Sequence, residues 1–425
     1  MRFPPDFWWG ASTSSYQIEG DNRDSALWEW ERKKGWERSG KAADSWRLWR
    51  EDLKCLKVLN LNTYRFSVEW SRIEPLPGQW REDALERYTE MAAALVEAGI
   101  RPIVCLHHFS DPAWLCREVP DGWRSPDAVK FFARFAGKVA QALKGSVREW
   151  MVFNEPMVFL TLGYSWAHFP PGRFGLHRME RDFLGKGGLI ELCARAHVEA
   201  AEAIRKARPD ALVGIAHNVT DLEPARDNAA DKGAVRDWDE LMHWRLIDRL
   251  VQAKALDYLG INYYTRVFVR RVNLPGVPLR ALPGHAEVEQ AAPFLFRLLG
   301  GKRGDRPRTD MGWEIVPEGL ERVLTRAWER YRLPLVVTEN GIADAKGDRR
   351  EAYLRDHLAA MARAMAAGAS IRGYLHWSLM DNYEWGSFKP QFGLFHVDRV
   401  GGSYERTLAP GAEFYAKVAG KNELP

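Results

Sequence analysis

The sequence predicts an α/β protein built as one (β/α)₈ barrel, the TIM-barrel fold. Two patterns carry this prediction. Short apolar runs rich in β-branched residues alternate with longer stretches rich in Ala, Leu, Arg and Glu, which is typical of parallel strands joined by helices. Eight such runs occur, the number that closes a barrel. Because no low-complexity linker or internal repeat interrupts the chain, we expect residues 1–425 to form a single domain.

The elements follow one another along the whole chain. The predicted strands are Phe7–Ser15, Thr63–Val68, Pro102–His107, Glu149–Phe153, Leu212–His217, Tyr258–Asn262, Leu335–Thr338 and Gly373–Ser378. The clearest predicted helices are Glu82–Ala98, Asp127–Leu143, Leu189–Ala207, Glu318–Tyr331 and Glu351–Ala367. Between the sixth and seventh strands, Val272–Arg308 is rich in Pro, Gly and Arg, which predicts a long loop.

Charge and hydropathy exclude several classes of partner. The 61 basic and 57 acidic residues are scattered without a long run of one sign, so no nucleic-acid or membrane-surface footprint is present. No stretch approaches the length of a membrane-spanning helix, and MRFPPDFWWG lacks the apolar core of a signal peptide. We therefore expect a cytoplasmic protein with no nucleic-acid or membrane partner. No sequence feature indicates its oligomeric state.

The four cysteines, Cys55, Cys105, Cys116 and Cys193, do not have the spacing of metal ligands. Three of them fall in apolar segments. This placement predicts buried, reduced thiols with a structural role.

Polar and aromatic residues cluster where the predicted strands end. In this fold the loops at the carboxyl ends of the strands converge on one mouth, where catalytic residues lie. The chain also contains 19 tryptophans, and flat aromatic faces suit the apolar faces of sugar rings. The residues that follow the strands are Gln17, Arg65, His108, Asn154, Glu155, Asn262–Tyr264, Glu339, Asn340 and Trp377–Asp381.

Two strand-end glutamates predict glycoside cleavage. Glu155 lies in VFNEP and Glu339 in VVTENG. Retaining hydrolysis needs one carboxylic acid and one carboxylate, about 5–5.5 Å apart. One such glutamate alone usually faces solvent or pairs with a cation, so the pair is what indicates chemistry. A carboxyl held among aromatics and near a second carboxylate resists ionisation, which would keep Glu155 protonated near neutral pH while Glu339 stays ionised.

Seven motifs in order identify a family. They are FWWGASTSSYQIEG, YRFSVEWSRI, LHHF, FNEP, GINYYTR, LVVTENGIAD and WSLMDNYEWG. With them the chain resembles the family 1 glycoside hydrolases, the β-glucosidase and β-galactosidase family built on this barrel. The resemblance implies a retaining exo-β-glycosidase that releases a terminal glucose, and also galactose or fucose, from a small β-glycoside or short oligosaccharide. It implies a covalent glycosyl-enzyme and no metal or organic cofactor.

The same resemblance assigns roles to individual residues. It makes Glu155 the general acid/base, Glu339 the nucleophile, and Asn154 a donor to the sugar 2-hydroxyl. Arg65 and Tyr264 resemble the residues that hydrogen-bond the nucleophile. The remaining implied sugar contacts are Gln17, His108, Glu384, Trp385 and, as a stacking floor, Trp377. Without the resemblance, Trp377, Trp385 and Tyr264 would be interpreted as core or wall aromatics.

Three departures from the family pattern bear on specificity. Phe109 stands where many relatives carry Trp, which removes an indole donor and predicts looser hydroxyl discrimination. Asp21, directly after the first motif, stands at a position of the family's N-terminal signature that usually holds a small residue, with no expected effect on catalysis. After Trp385, GSFKPQFG introduces Lys389 and Pro390 near the cleft mouth. The chain is also short for the family, so we expect trimmed loops and a more open leaving-group side.

Lys389 raises a first alternative, a 6-phospho-β-glycosidase, because phospho-specific relatives hold the phosphate with Ser and Lys in this loop. Trp385 argues against it, since those relatives replace this tryptophan with a small residue. We therefore interpret Lys389 as a solvated loop lysine.

Two further alternatives are a metal-dependent barrel hydrolase and a non-catalytic, lectin-like relative. The adjacent His107 and His108 point to opposite faces of a strand and do not easily share one ion, and no other ligand cluster accompanies them. His107 is therefore expected to be a packed residue. A non-catalytic relative would be expected to lack one carboxylate, whereas both Glu155 and Glu339 are present.

Overall fold

The computed structural model describes residues 1–175, 179–271, 281–284 and 304–425. Its centre is a closed barrel of parallel strands, which confirms the predicted fold class. The strands are β1 (Trp8–Ser12), β2 (Thr63–Ser67), β3 (Arg101–His107), β4 (Glu149–Asn154), β5 (Leu212–Asn218), β6 (Asp221–Pro224), β7 (Tyr258–Asn262), β8 (Arg266–Arg271), β9 (Ala281–Gly284), β10 (Leu335–Asn340), β11 (Ile371–Trp377), β12 (Phe395–Val397) and β13 (Arg406–Leu408). Around the barrel the order is β1-β2-β3-β4-β5-β7-β10-β11, closing on β1.

Helices surround the barrel and cover the outer faces of its strands. The α-helices in the described part are Ser15–Ile18, Ala26–Lys34, Ser45–Val58, Trp70–Ile73, Glu82–Glu97, Ala113–Glu118, Pro126–Leu143, Pro156–Tyr164, Met179–Leu184, Leu189–Ala207, Ala229–Asp239, Arg245–Gln252, Pro317–Tyr331, Arg350–Ala366 and Ala412–Lys421. A 3₁₀ turn spans Gly122–Arg124 and a π-helical turn spans Glu240–Trp244. The five helices predicted most clearly are present, with ends that differ by at most one residue. Within the described residues, no helix is both long and apolar enough to cross a membrane.

The first predicted strand, Phe7–Ser15, is wrong at its end. The strand stops at Ser12, and Ser15–Ile18 forms a helical turn. The hydroxyl-rich segment breaks the ladder because its polar groups find other partners: the Ser15 amide donates to Ser67 Oγ at 2.7 Å, for example. Gln17 therefore lies on a helical turn beyond the strand.

The predicted loop Val272–Arg308 is only partly described, since residues 272–280 and 285–303 lie outside the described part. Where it is described, part of it is strand. β9 pairs antiparallel with β8, and β8 pairs with β6, so the three make a small sheet. Arg308 also forms an isolated bridge with Glu314.

Apolar side chains fill both faces of the barrel strands, as expected for a parallel sheet covered by helices. A small cluster packs inside the barrel and contains Trp8, Ile103, Cys105, Met151, Ala216, Tyr258, Val336 and Leu375. A larger cluster packs between the strands and the helices. All four cysteines are free thiols; Cys116 is half-buried and the other three are buried, in agreement with the prediction.

Candidate active site

A cavity of about 530 Å³ opens at the carboxyl ends of the barrel strands. All but two of the predicted site residues line it: His108, Asn154, Glu155, Tyr264, Glu339, Trp377, Glu384 and Trp385. The other two, Arg65 and Gln17, are fully buried, and each donates a hydrogen bond to a lining residue, Arg65 to Glu339 and Gln17 to Glu384. The barrel therefore gathers residues from distant motifs around one space.

The backbone turns sharply at Glu155. Strand β4 ends at Asn154, and Pro156 begins the helix Pro156–Tyr164. Glu155 between them adopts a left-handed conformation with φ of 43°, a region that costs a non-glycine residue free energy. Its amide donates to the Ala216 carbonyl of β5 at 2.8 Å, which ties the turn to the neighbouring strand.

Neutral amide donors surround the Glu155 carboxyl. Oε1 accepts a hydrogen bond from Asn262 Nδ2 at 2.8 Å and another from Asn218 Nδ2 at 3.1 Å. Burial, followed by the charge of Glu339, raises the pKa of Glu155 to about 7, while the two amides oppose the rise. Near neutral pH this carboxyl therefore exists in both protonation states.

Glu339 has a different environment. Arg65 Nη1 donates to Oε1 at 2.6 Å, and the Tyr264 hydroxyl donates to Oε2 at 2.7 Å. Burial raises the pKa of Glu339, but the Arg65 charge and the two hydrogen bonds oppose that rise. The buried guanidinium of Arg65 therefore contacts Glu339, whereas the groups that donate to Glu155 are neutral amides.

Glycine is required immediately after the Glu339 segment. A Cβ placed on Gly341 would lie 1.8 Å from the Trp377 carbonyl oxygen. Only glycine lets β10 pass so close to the end of β11. The TENG motif is thus explained by packing at the rim as well as by its glutamate.

Arg65 also connects the two sides of the site. Its Nη2 donates to Asn154 Oδ1 at 2.6 Å, and Asn154 Nδ2 lies 3.0 Å from His108 Nε2. Burial, with the Arg65 charge, lowers the pKa of His108 well below its usual value, so the imidazole is neutral. The His108 ring stacks on Trp377 with centroids 5.6 Å apart.

Glu384 occupies the opposite wall. Its carboxyl accepts hydrogen bonds from Trp377 Nε1 at 3.1 Å and from Gln17 Nε2 at 3.2 Å. Burial raises the pKa of Glu384 to about 8. Gln17 Nε2 also donates to the Tyr383 carbonyl at 2.9 Å, so this residue helps to hold the loop in place.

Aromatic rings close this wall. Trp385 has a left-handed φ of 44°, and its ring lies parallel to that of His108, with centroids 6.1 Å apart. Phe109, the departure noted in LHHF, lines the cavity 5.1 Å from Trp385. Lys389 is exposed and is not among the described residues that line the cavity.

Comparison with known proteins identifies the family. The model of glycosyl hydrolase family 1 matches residues 1–254 and 247–424. The chain belongs to glycosyl hydrolase family 1. It is therefore a glycoside hydrolase, and the resemblance inferred from the seven motifs is confirmed.

Named relatives of this glycoside hydrolase span almost its whole length. β-Glucosidase A of Thermotoga maritima is 30% identical over 100% of this chain and 99% of the relative. The β-galactosidase of Sulfolobus acidocaldarius is also 30% identical, over 100% of this chain and 96% of the relative.

Solved structures agree with these relatives. A β-glycosidase from Pyrococcus horikoshii superposes with a TM-score of 0.86 at 32% identity, covering 100% of this chain and 96% of that one. A β-glucosidase from Thermotoga maritima in complex with deoxynojirimycin also has a TM-score of 0.86, at 26% identity, with 100% of both chains covered.

Two residues that contact Glu155 in the family 1 enzyme were given no role in the sequence analysis, although Asn262 was among the strand-end residues. Asn262 and Asn218 both donate to Glu155, and Asn218 lines the cavity. Asn262 carries a signal in the sequence, because it ends a strand within GINYYTR. Asn218 follows His217 at the end of β5 without any such motif.

His107 of the glycoside hydrolase faces away from the cavity. Its Nε2 lies 3.1 Å from Asp111 Oδ1, and its ring packs edge-on against Phe159 at 4.8 Å. Across the described ranges, no group of three or more His, Cys, Asp and Glu side chains is placed to hold a metal ion.

Proposed function

We propose that this family 1 enzyme is a retaining exo-β-glycosidase on one domain of residues 1–425, with Glu155 as acid/base and Glu339 as nucleophile. One observation carries the proposal. Two glutamates line one cavity, and a buried guanidinium contacts Glu339 while neutral amides contact Glu155. This asymmetry favours an ionised Glu339 beside a protonated Glu155.

The proposed reaction has two displacements. The Glu339 carboxylate attacks the anomeric carbon while Glu155 gives its proton to the departing glycosidic oxygen, which forms a covalent glycosyl-enzyme. Glu155, now a carboxylate, takes a proton from water as the water oxygen attacks the same carbon, and the bond from that carbon to Glu339 breaks. The sugar leaves with its original configuration, and both carboxyls return to their starting states.

The sugar is proposed to lie between the Glu384 wall and the two glutamates. Hydroxyls would be read by Gln17, His108, Asn154, Glu384 and Trp385, with Tyr264 beside the nucleophile and Trp377 as the stacking floor. Relatives named β-glucosidase and β-galactosidase, and a solved relative in complex with glucoimidazole, support a terminal β-linked glucose or galactose as the substrate. The family resemblance extends this proposal to fucose.

We also propose a cytoplasmic location for the enzyme. The cysteines support this proposal, because all four are unpaired thiols, which suits a reducing compartment. Fractionation of the source cells, with activity on a nitrophenyl β-glucoside as the marker, tests this location.

The anomer released first tests the proposed function. Proton NMR of 4-nitrophenyl β-D-glucoside hydrolysis should show β-glucose first, with α-glucose rising only by mutarotation. The initial release of α-glucose would contradict the proposal, as would the absence of hydrolysis of β-glucoside, β-galactoside and β-fucoside.

A further inference from the structure

The cavity continues sideways past the end of β5. Along this strand Ala216 faces the barrel interior, whereas Val213 and Ile215 pack outward against the helices. Because side chains alternate, Asn218 is on the inner face and His217 on the outer face. Both residues line the same cavity, which therefore passes round the strand end into the space between the barrel and its helices.

This lateral space has walls of its own. We call it the side pocket and define it by Met157, Thr161, His217, Trp238, Met242 and His243, all of which line the cavity. Met242 and His243 lie on the π-helical turn Glu240–Trp244. π-Helical turns are rare in proteins, and those that occur often lie at functional sites. Thr161 Oγ lies 3.9 Å from Met242 Sδ, so the helix Pro156–Tyr164 and the π-helical turn are in contact at the side pocket.

The polar groups of the side pocket are mostly engaged by the protein. His217 Nε2 lies 3.1 Å from the Met242 carbonyl oxygen. His243 Nδ1 lies 2.8 Å from Asp239, and its Nε2 accepts from the Thr220 amide at 3.3 Å. His217 Nδ1 has no partner among the described residues. Burial lowers the pKa of His217 to about 3, so the pocket gains no charge from it.

The side pocket adjoins the proposed acid. Asn218 Nδ2 donates to Glu155 at 3.1 Å, and Thr220 Oγ donates to Asn218 Oδ1 at 3.2 Å. Thr220 in turn contacts His243, so a continuous chain of contacts leads from the acid to the pocket. In the proposed reaction the leaving group takes its proton from Glu155, so it lies beside this acid when it departs.

We propose that the side pocket binds the leaving group and selects β-glycosides of apolar alcohols, such as alkyl chains, over a second sugar. The inference rests on the proposed acid role of Glu155. A second sugar would bring hydroxyls to a wall whose polar atoms are largely engaged, which leaves them unpaired. Methionine and tryptophan side chains give an alkyl chain a surface that adapts to it.

A series of alkyl glucosides tests this selectivity. Methyl, butyl and octyl β-D-glucosides have leaving alcohols of similar acidity, so differences in kcat/KM report contacts of the chain. Each buried methylene raises kcat/KM by up to about fourfold. We expect at least about a 30-fold rise from methyl to octyl, with cellobiose near the methyl value. A flat series, or cellobiose faster than octyl glucoside, would overturn the inference.

Matched variants place the effect at the side pocket. Met242→Gln keeps the length of the side chain and makes it polar, whereas Met242→Leu keeps it apolar. The ratio of octyl to methyl kcat/KM should fall about tenfold or more in the first and stay within about threefold in the second. Equal ratios in both variants would contradict the assignment.

A binding measurement separates this inference from the proposed function. Octyl 1-thio-β-D-glucoside resists hydrolysis, so calorimetry measures its affinity even if no substrate is turned over. It should bind at least about 30-fold more tightly than the methyl thioglucoside. Hydrolysis of nitrophenyl glucoside without this difference would reject the side pocket alone. The difference without hydrolysis would keep the apolar site and reject the catalytic assignment.

Discussion

Asn262 donates a hydrogen bond from its side-chain amide to Oε1 of Glu155 at 2.8 Å. The orientation of that amide is set from behind, because Thr338 Oγ donates to Asn262 Oδ1 at 2.6 Å. The group facing Glu155 is therefore a donor, which favours the ionised carboxylate and opposes the effect of burial. This balance places the pKa of Glu155 at about 7, where one carboxyl serves in turn as acid and as base.

Substitutions at Asn262 should move the alkaline limb of the pH profile. Asn262→Ala removes the donor and so raises the pKa of Glu155. Asn262→Asp adds a negative charge and raises this pKa more strongly, so the alkaline limb should move to higher pH in both variants. The kcat/KM for 4-nitrophenyl β-D-glucoside should fall roughly 10- to 100-fold in Asn262→Ala. Profiles of both variants from pH 4 to about pH 9 give the measurement, and an unmoved alkaline limb would show that Asn262 does not tune Glu155.

The unmodified enzyme should lose activity as the pH rises above about 7. The first step needs protonated Glu155, whose pKa is about 7, so kcat/KM should fall about tenfold for each further pH unit. With 2,4-dinitrophenyl β-D-glucoside, whose leaving group needs no proton, the unmodified enzyme and Glu155→Gln should both lack this limb. A limb that persists in this variant would assign the titration to another group.

Tyr264→Phe should move the acid limb. It removes the hydroxyl that donates to Glu339 at 2.7 Å, so the pKa of Glu339 rises. Because the nucleophile must be ionised, the acid limb should move to higher pH. We expect kcat to fall roughly 10- to 100-fold. Tyr263→Phe is the matched control, because that hydroxyl donates to the Val316 carbonyl at 2.7 Å, away from the cavity. Equal effects of both variants would indicate general damage to the fold.

6-Phospho-β-glucosides should be poor substrates. Glu384 and Trp385 line the cavity wall, and the groups that donate to Glu384 are the neutral side chains of Trp377 and Gln17. A phosphate there would lose its hydration, and these neutral donors would not compensate its charge. The kcat/KM for 4-nitrophenyl 6-phospho-β-D-glucoside should be at least about 100-fold below that of the plain glucoside. The reverse order would favour the 6-phospho-β-glycosidase.

The barrel was predictable because its strands are buried on both faces and its helices have regular apolar spacing. The end of the first strand was not, since Ser12 and Ser15 both lie in a run of hydroxyl residues and contacts with other strands, such as that of Ser15 with Ser67, decide where the strand stops. The two glutamates were predictable from their strand ends. Of the amides that contact Glu155, Asn218 was not predictable from the sequence. The register between β4 and β5 brings Asn218, at the end of β5, next to Glu155, which follows β4.

Chemical rescue tests the two glutamate assignments most directly. Glu339→Gly and Glu155→Gly should both be inactive or slow on 2,4-dinitrophenyl β-D-glucoside, and azide should accelerate both. In Glu339→Gly azide replaces the nucleophile in one displacement, so we predict the α-glucosyl azide. In Glu155→Gly azide attacks the glycosyl-enzyme on Glu339, so we predict the β-glucosyl azide. The same azide anomer from both variants, or no rescue of either, would contradict the account.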